Sequence, residues 1–393
     1  MTRGGTSGLS KAEGGKDADL PASASATPKP TMNLDNISSK VQIDSYANRY
    51  KSNQKVVQAN PQNYSAYVDL GDLNTMMERY GQAADAYENA LLVKPKQPDV
   101  QLKLAQAYAD SGKYQQAIDI YKQLLPVHDT PWQIKNDMAN VYRKKKDFLT
   151  ATKLSQEILI QQKNNIDAIN TLSLTYYDQQ KYELAELTAQ KAIKAKVDNA
   201  QTHHNLGLSM AKQDLDSEAV SEYKKAADMN KNLIEPRMTL GQLNMNNGNF
   251  NEAARMYYEV LEVNPLNLTA RQNLGVALMS TKKADEAEEM FLSILQIDPF
   301  HAESAYDLGI LYHQYMQDGE KAVQYYQRYI GMAKGKLADN HPVFAQLAAA
   351  KKLPPKNPPA APAPATQSQA NDKKPDSKGS AGKTGGSNAK SKK

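Results

Sequence analysis

The sequence predicts an all-α solenoid of stacked helical hairpins. Three observations carry that reading. First, one phrase returns after 34 positions: VLEVNPLNLTARQNLGVAL at residues 260–278 becomes ILQIDPFHAESAYDLGILY at residues 294–312. Second, stepping by that period from the Leu-Gly pair meets only small residues: Gly71, Ala105, Ala139, Ser173, Gly207, Gly241, Gly275 and Gly309. Twelve residues further on stand Ala83, Ala117, Ala151, Ala185, Ala219, Ala253 and Ala287, with Ala322 after one inserted residue in the eighth unit. Third, each unit holds two apolar segments at helical spacing, such as Tyr67 and Leu70, then Tyr80, Ala83, Ala84 and Tyr87. One helical hairpin cannot bury its own apolar face, whereas stacked neighbours can, so a period of this length implies a quasi-one-dimensional array.

Along the chain, residues 1–33 and 354–393 are rich in Gly, Ser, Ala, Pro and Lys and lack periodic apolar residues. They bury too little to offset chain ordering, so both are expected to be disordered, the second beginning as a polyproline spacer, PPKNPPAAPAPA. Residues 34–63 read as an N-terminal capping helix, with Leu34, Ile37, Val41, Tyr46, Tyr50 and Val57 on one side. Eight units fill residues 64–336. In each, the small residues mark where two helices cross, and the large residues around them fill the remaining volume. Pro61, Pro95, Pro265 and Pro299 stop the second helix of a unit, and Gly112 and Gly248 fall in turns between helices. Units three and four depart from the pattern: Ser155 and Ala189 replace a large residue, and no Pro occurs between Pro131 and Pro236. A different packing or bend is expected there. Residues 337–353 read as a C-terminal cap, with Asp339 or Asn340 as N-cap and the pairs Val343/Leu347 and Phe344/Ala348 covering the last unit.

These residues resemble the tetratricopeptide repeat family, whose pattern is W-x2-L-G-x2-Y…A-x3-F…P over 34 positions. Tyr67, Leu70, Gly71, Tyr80, Ala83, Tyr87, Ala90 and Pro95 fill it in residues 64–97. Leu104, Ala105, Tyr108, Gly112, Tyr114, Ala117, Tyr121 and Leu124 do so in residues 98–131. The resemblance implies a right-handed superhelix whose concave wall is lined by the first helix of each unit. By that likeness, unit positions 2, 5, 9 and 12 face inward, of which positions 5, 9 and 12 supply the candidates. The groove candidates are then Asn136, Asn140, Arg143, Leu174, Tyr177, His204, Leu208, Met238, Met245, Val276, Met279, Ile310 and His313. The early wall is polar and the later wall apolar, with three Met, the residue that adapts most readily to varied side chains.

Composition narrows the function. With no Cys, disulfides, thiolate metal sites and cysteine nucleophiles are excluded. The six His lack i,i+4 metal spacing, and ordinary partly exposed histidines are expected. No catalytic signature occurs, so no enzyme, cofactor or metal is expected. SKGSAGKT at residues 377–384 misses the first Gly of a phosphate-binding loop and follows no strand, so it reads as coincidence. RKKK at residues 143–146 reads as a solvated turn. From Lys351 to Lys393 the charge is +8, leaving −3 of the overall +5 for the rest. That tail could attract an anionic partner or surface, but without Arg or aromatics it does not fit sequence-specific nucleic-acid reading. No run is apolar enough for a membrane span, and the start has no apolar signal core. The chain therefore reads as cytoplasmic as written, or periplasmic or envelope-associated if an N-terminal anchor was removed. The expected role is a non-catalytic scaffold or adaptor binding proteins or peptides in the concave groove, with self-association left open. The rivals are a chaperone for clients and an envelope-associated part of a multiprotein machine.

Overall fold

The structure is a computed structural model that describes residues 40–333 and 335–354. The disorder expected at 1–33 and over nearly all of 354–393 lies outside the described residues, as do Leu34, Ile37 and the 377–384 segment. The described residues form an all-α, right-handed solenoid. A leading helix, α1 (Lys40–Ala59), is followed by eight helical pairs. These are α2 (Tyr64–Met76) with α3 (Tyr80–Val93), α4 (Pro98–Asp110) with α5 (Tyr114–Leu124), α6 (Pro131–Lys144) with α7 (Phe148–Gln161), and α8 (Ile166–Asp178) with α9 (Tyr182–Lys194). They continue as α10 (Ala200–Ala211) with α11 (Asp216–Met229), α12 (Glu235–Asn246) with α13 (Phe250–Val263), α14 (Leu268–Ser280) with α15 (Ala284–Ile297), and α16 (Ala302–Ile310) with α17 (Gly319–Ala333). A last helix, α18 (Pro342–Ala350), closes the array.

Each pair turns at the same repeat position through a left-handed residue: Glu78, Gly112, Lys146, Gln180, Asp214, Gly248, Lys282 and Gln317, with φ between 53° and 82°. Only two of them are Gly, although Gly carries the smallest penalty there. The turns are closed by Schellman-type bonds, such as Lys113 N to Tyr108 O at 2.8 Å and Lys283 N to Leu278 O at 3.0 Å. The inserted residue of the eighth unit is absorbed as a π-helical turn, Leu311–Tyr315, where Met316 N bonds back to Leu311 O at 3.0 Å.

The crossing residues explain the period. The aromatic ring of each second helix lies under the small residue of the first: Tyr87 under Gly71, Tyr257 under Gly241, Phe291 under Gly275 and Tyr326 under Gly309. Units three and four have no such ring and carry a Cβ instead, pairing Ala139 with Ser155 and Ser173 with Ala189; all four are fully buried or nearly so. Ser173 Oγ donates to Ala185 O at 2.9 Å across that crossing.

Between units, Asn264 and Asn267 show why the opening phrase recurs. The Asn264 side chain accepts from Leu266 N at 3.1 Å, which turns the chain after Pro-terminated α13, and Asn267 caps α14 by accepting from Ala270 N. At the C-terminal end the expected caps need correction. His341, not Asp339 or Asn340, caps α18 through Nδ1 and Val343 N. Val343 is buried and Leu347 packs on the last repeat, but Phe344 and Ala348 face solvent.

The solenoid also closes on itself. Leu73, Met76 and Met77 of the first pair, with Tyr46 and Tyr50 of α1, pack against Leu266, Leu268, Ile294 and Ile297 of the sixth and seventh pairs. Polar contacts frame this seam. Arg79 pairs with Asp298 at 2.9 Å, Glu78 accepts from Asn267 at 3.0 Å and Thr269 at 2.7 Å, and Asn264 donates to Met76 O at 3.0 Å. Asp44 of α1 accepts from Gln296 of α15.

Candidate functional site

The inner wall is built from first helices. α6, α8 and α10 approach one another closely, whereas no second helix closely approaches the next second helix among the described residues. Curvature in units three to five therefore places their first helices inside. Each carries unit positions 5, 9 and 12 toward its successor, and hydrogen bonds run from unit to unit along that row.

In units three to five the row opens on the buried polar residues Asn136, Asn170 and His204, with Asn140 and Arg143 half-buried behind them. Thr171 Oγ1 donates to Asn136 Oδ1 at 2.9 Å and accepts from Asn140 Nδ2 at 3.1 Å. Arg143 pairs with Asp178 at 2.5 Å. Thr202 donates to Asn170 at 2.9 Å, and Asn205 reaches Asn170 O at 3.3 Å. His204 is buried, its Nε2 lies 3.3 Å from Thr239 Oγ1, and burial pushes its pKa down to about 4. These side chains spend their hydrogen bonds on the neighbouring repeat, so they act first as the glue of the wall. The expectation of partly exposed histidines fails for His203 and His204: both are buried, and His203 sits between Asp198 and Glu222 at 3.0 and 2.6 Å. The RKKK turn is likewise not simply solvated, because Lys144 pairs with Asp110 and Lys145 donates to Gln115 as Arg143 pairs with Asp178.

In units five to eight the wall is apolar and half-buried. Leu208 packs with Tyr223 and Leu240; Met238, Met245, Val276 and Ile310 pack against the C-terminal core. Met279 is 7% exposed and is a member of that core, which leaves it little surface for anything else. Apolar character already begins in unit four, where Leu174 is half-buried and the Tyr177 ring lies 5.6 Å from Tyr182. His313 meets Tyr326 edge-on at 6.1 Å. Gln272 donates to Asp307 at 3.0 Å across two units, and burial raises the Asp307 carboxyl to about 6.

Sequence reasoning missed one recurring feature. Where the first unit carries Tyr67, later units carry Lys135, His203, Arg237 and Arg271, and each reaches the second helix of its own unit. The partners are Glu157 at 3.4 Å, Glu222, Glu259 at 2.9 Å and Ser293 at 3.2 Å. The signal was present: a basic residue replaces an aromatic in four units. A cleft of about 990 Å³ between α11, α12 and α13 includes Arg237, Arg255, Glu259 and Met256 in its lining and none of the groove candidates. Among the described residues no cluster of His, Asp and Glu could hold a metal ion, and no helix is long and apolar enough to cross a membrane.

The profile of the tetratricopeptide repeat family matches residues 75–133 and 245–308, where the helical pairs, crossing residues and turns repeat in register. Tetratricopeptide repeats therefore stand in this chain over those two stretches. No curated protein matches its sequence. Among solved structures it is similar to the C-terminal part of a tetratricopeptide repeat-containing protein from Cytophaga hutchinsonii, at 19% identity over 50% of this chain and 79% of that one, TM-score 0.43. It is similar to a chain of the APC/C hetero-tetramer Cut9-Hcn1 at 13% identity, over 76% of this chain and 58% of that one, TM-score 0.45. A MamA protein aligns at 22% identity over 44% of this chain and 95% of that one, TM-score 0.35. Tetratricopeptide repeats support protein interaction in general and are generally non-catalytic scaffolds.

Proposed function

We propose that this chain is a non-catalytic scaffold that holds a partner peptide along its inner wall, with the apolar stretch of units five to eight as the anchoring part. The observation that supports this most is the change of character along one row. Asn136, Asn140 and His204 are spent on inter-repeat hydrogen bonds, whereas Met238, Met245, Val276 and Ile310 stand half-buried. Half-exposed methionines and aliphatics on an inner surface suit a helical or extended peptide with apolar anchors. Arg143, Leu174, Tyr177, Leu208 and His313 are proposed as flanking contacts; Met279 supports the wall from beneath.

The test is selection of peptides on the full-length protein from a random library, followed by Met238→Glu/Met245→Glu. Both side chains are partly exposed but also pack on the core, so helicity should hold with a lowered melting temperature while the selected peptides lose at least tenfold in affinity. Retained affinity would reject the groove. A selected set with one shared motif fits an adaptor; a set with only apolar content in common fits a chaperone.

A further inference from the structure

The seam that closes the solenoid is a contact between two different patches of one chain. The donor patch is the end of α2 and the turn after it: Leu73, Met77, Glu78 and Arg79. The acceptor lies on the α13–α14 connection and the end of α15: Leu266, Ile294 and Asp298. Their sequence separation is about 190 to 220 residues, so nothing local forces them together. Met77 is 3% exposed although the same repeat position carries Ser111, Lys145, Gln179, Gln213, Asn247 and Thr281 in the next six units. Leu266 is 2% exposed, where the preceding five units carry Lys96, Thr130, Asn164, Asp198 and Asn232. Each patch thus departs from its repeat in the direction of the other.

What joins the patches is a solenoid whose middle buries mostly small apolar residues, Ala168, Ala185, Ala189 and Ala192 beside Leu172, with polar contacts between its units. One apolar cluster covers α2 to α7 and two others cover α10 to α18, but no residue of α8 or α9 belongs to any of them. There the contacts between units run through Asn136, Asn170, Thr171, Thr202 and Asn205. A wall held by single hydrogen bonds changes curvature at lower cost than one held by interdigitated apolar side chains. A small opening there, multiplied over the radius of the ring, separates the patches.

We propose that the seam is exchangeable between copies: the first repeat of one chain docks onto the Leu266–Ile294–Asp298 acceptor of a second copy of this chain, giving reciprocally swapped assemblies. The occupant is fixed by the structure, because among the described residues the acceptor is filled by this chain's own first repeat, with its α2 turn and the adjoining α1. Two unlike patches make a heterologous contact, which closes within one chain, closes in a reciprocal pair, or extends from copy to copy. Within one chain, high effective concentration favours closure, so exchange grows with protein concentration and with anything that opens the ring. The inference is independent of what the inner wall binds.

The experiment uses two full-length variants, Arg79→Glu and Asp298→Arg, each checked for unchanged helicity. Alone, each places like charges across its seam, in cis and between identical copies alike. Mixed, they restore complementarity between copies: in a reciprocal pair one seam holds the reversed ion pair and the other the original one. Sedimentation velocity of the mixture should show a species of twice the monomer mass that neither variant forms alone at the same concentration. A mixture that stays monomeric overturns the proposal, whatever shape the separate variants take.

Discussion

A Cβ on Gly207 would stand 2.6 Å from the Tyr223 ring and 3.0 Å from the carbonyl oxygen of Ala219. The crossing of α10 and α11 is therefore closed from two sides, by a side chain and by backbone. At Gly241 the three nearest atoms all belong to the Tyr257 ring, the closest at 2.7 Å. In the second unit the same two repeat positions hold Ala105 and Tyr121, both buried in one core, so a ring and a Cβ can share this crossing. Gly207→Ala is expected to cost more than Gly241→Ala, within the roughly 1–3 kcal/mol typical of overpacking. Urea unfolding of the two variants decides it; equal costs would mean that the backbone contact at Ala219 is not limiting.

Lys282 turns the seventh pair at φ +63°, as Gly248 turns the sixth at +73°. An L-residue in that conformation carries a penalty of about 1 kcal/mol, part of which Gly loses again through its freer unfolded chain. Lys282→Gly should therefore leave the protein equally stable or more stable by several tenths of a kcal/mol. Lys282→Val should destabilise it, because a β-branched side chain is worst at positive φ. Thermal melting of both variants gives the order; a Gly variant melting well below the parent would show that the Lys282 side chain itself holds the turn.

The repeat was legible because its signal is local and copied. Gly207 and Ala219 each recur in kind eight times, and the ring beneath the Gly follows at fixed spacing. The same periodicity located the first helices and hence the row from Asn136 to His313. It did not show which of that row is spent on neighbours, because burial of His204 and Met279 depends on how far one unit rotates against the next. Ring closure was hidden for a related reason. Met77 and Leu266 look like scattered apolar residues until a contact spanning most of the solenoid brings them together. Their departure from the polar character of their repeat positions was the readable trace.

His204 is kept neutral by burial, with its pKa lowered from 6.5 to about 4. A His lowered in the folded state contributes stability that is complete above 6.5 and is lost as pH falls toward 4. The loss approaches about 3 kcal/mol at the bottom of that window, as an upper bound. Asp137 and Asp307 act in the opposite sense: burial raises both to about 6, so their protonation favours the fold as pH falls through the same range. The parent should thus show a shallow net dependence. His204→Gln removes only the first contribution, so stability should rise from pH 6.5 to 4.5 relative to the parent. Parallel stability curves for parent and variant would show that His204 titrates normally.

Lys135 and Arg237 occupy the same repeat position three units apart, and their surroundings predict opposite consequences of removal. Lys135 meets Glu157 at 3.4 Å with both side chains about a third exposed, so Lys135→Met should change stability by about 0–1 kcal/mol. Arg237 is 5% exposed and donates to Ala227 O at 2.7 Å, Lys231 O at 3.2 Å and Glu259 at 2.9 Å. Its guanidinium thereby satisfies carbonyls at the end of α11 that no further helical turn could reach. Arg237→Met leaves those carbonyls without their donor, while Glu259 keeps Arg255 at 2.7 Å. The expected loss is therefore about 2–3 kcal/mol, below the 3–5 kcal/mol of a buried charge left wholly unpaired. Denaturant titration of both methionine variants measures the contrast; similar losses at the two sites would show that the bonds to the α11 terminus contribute little.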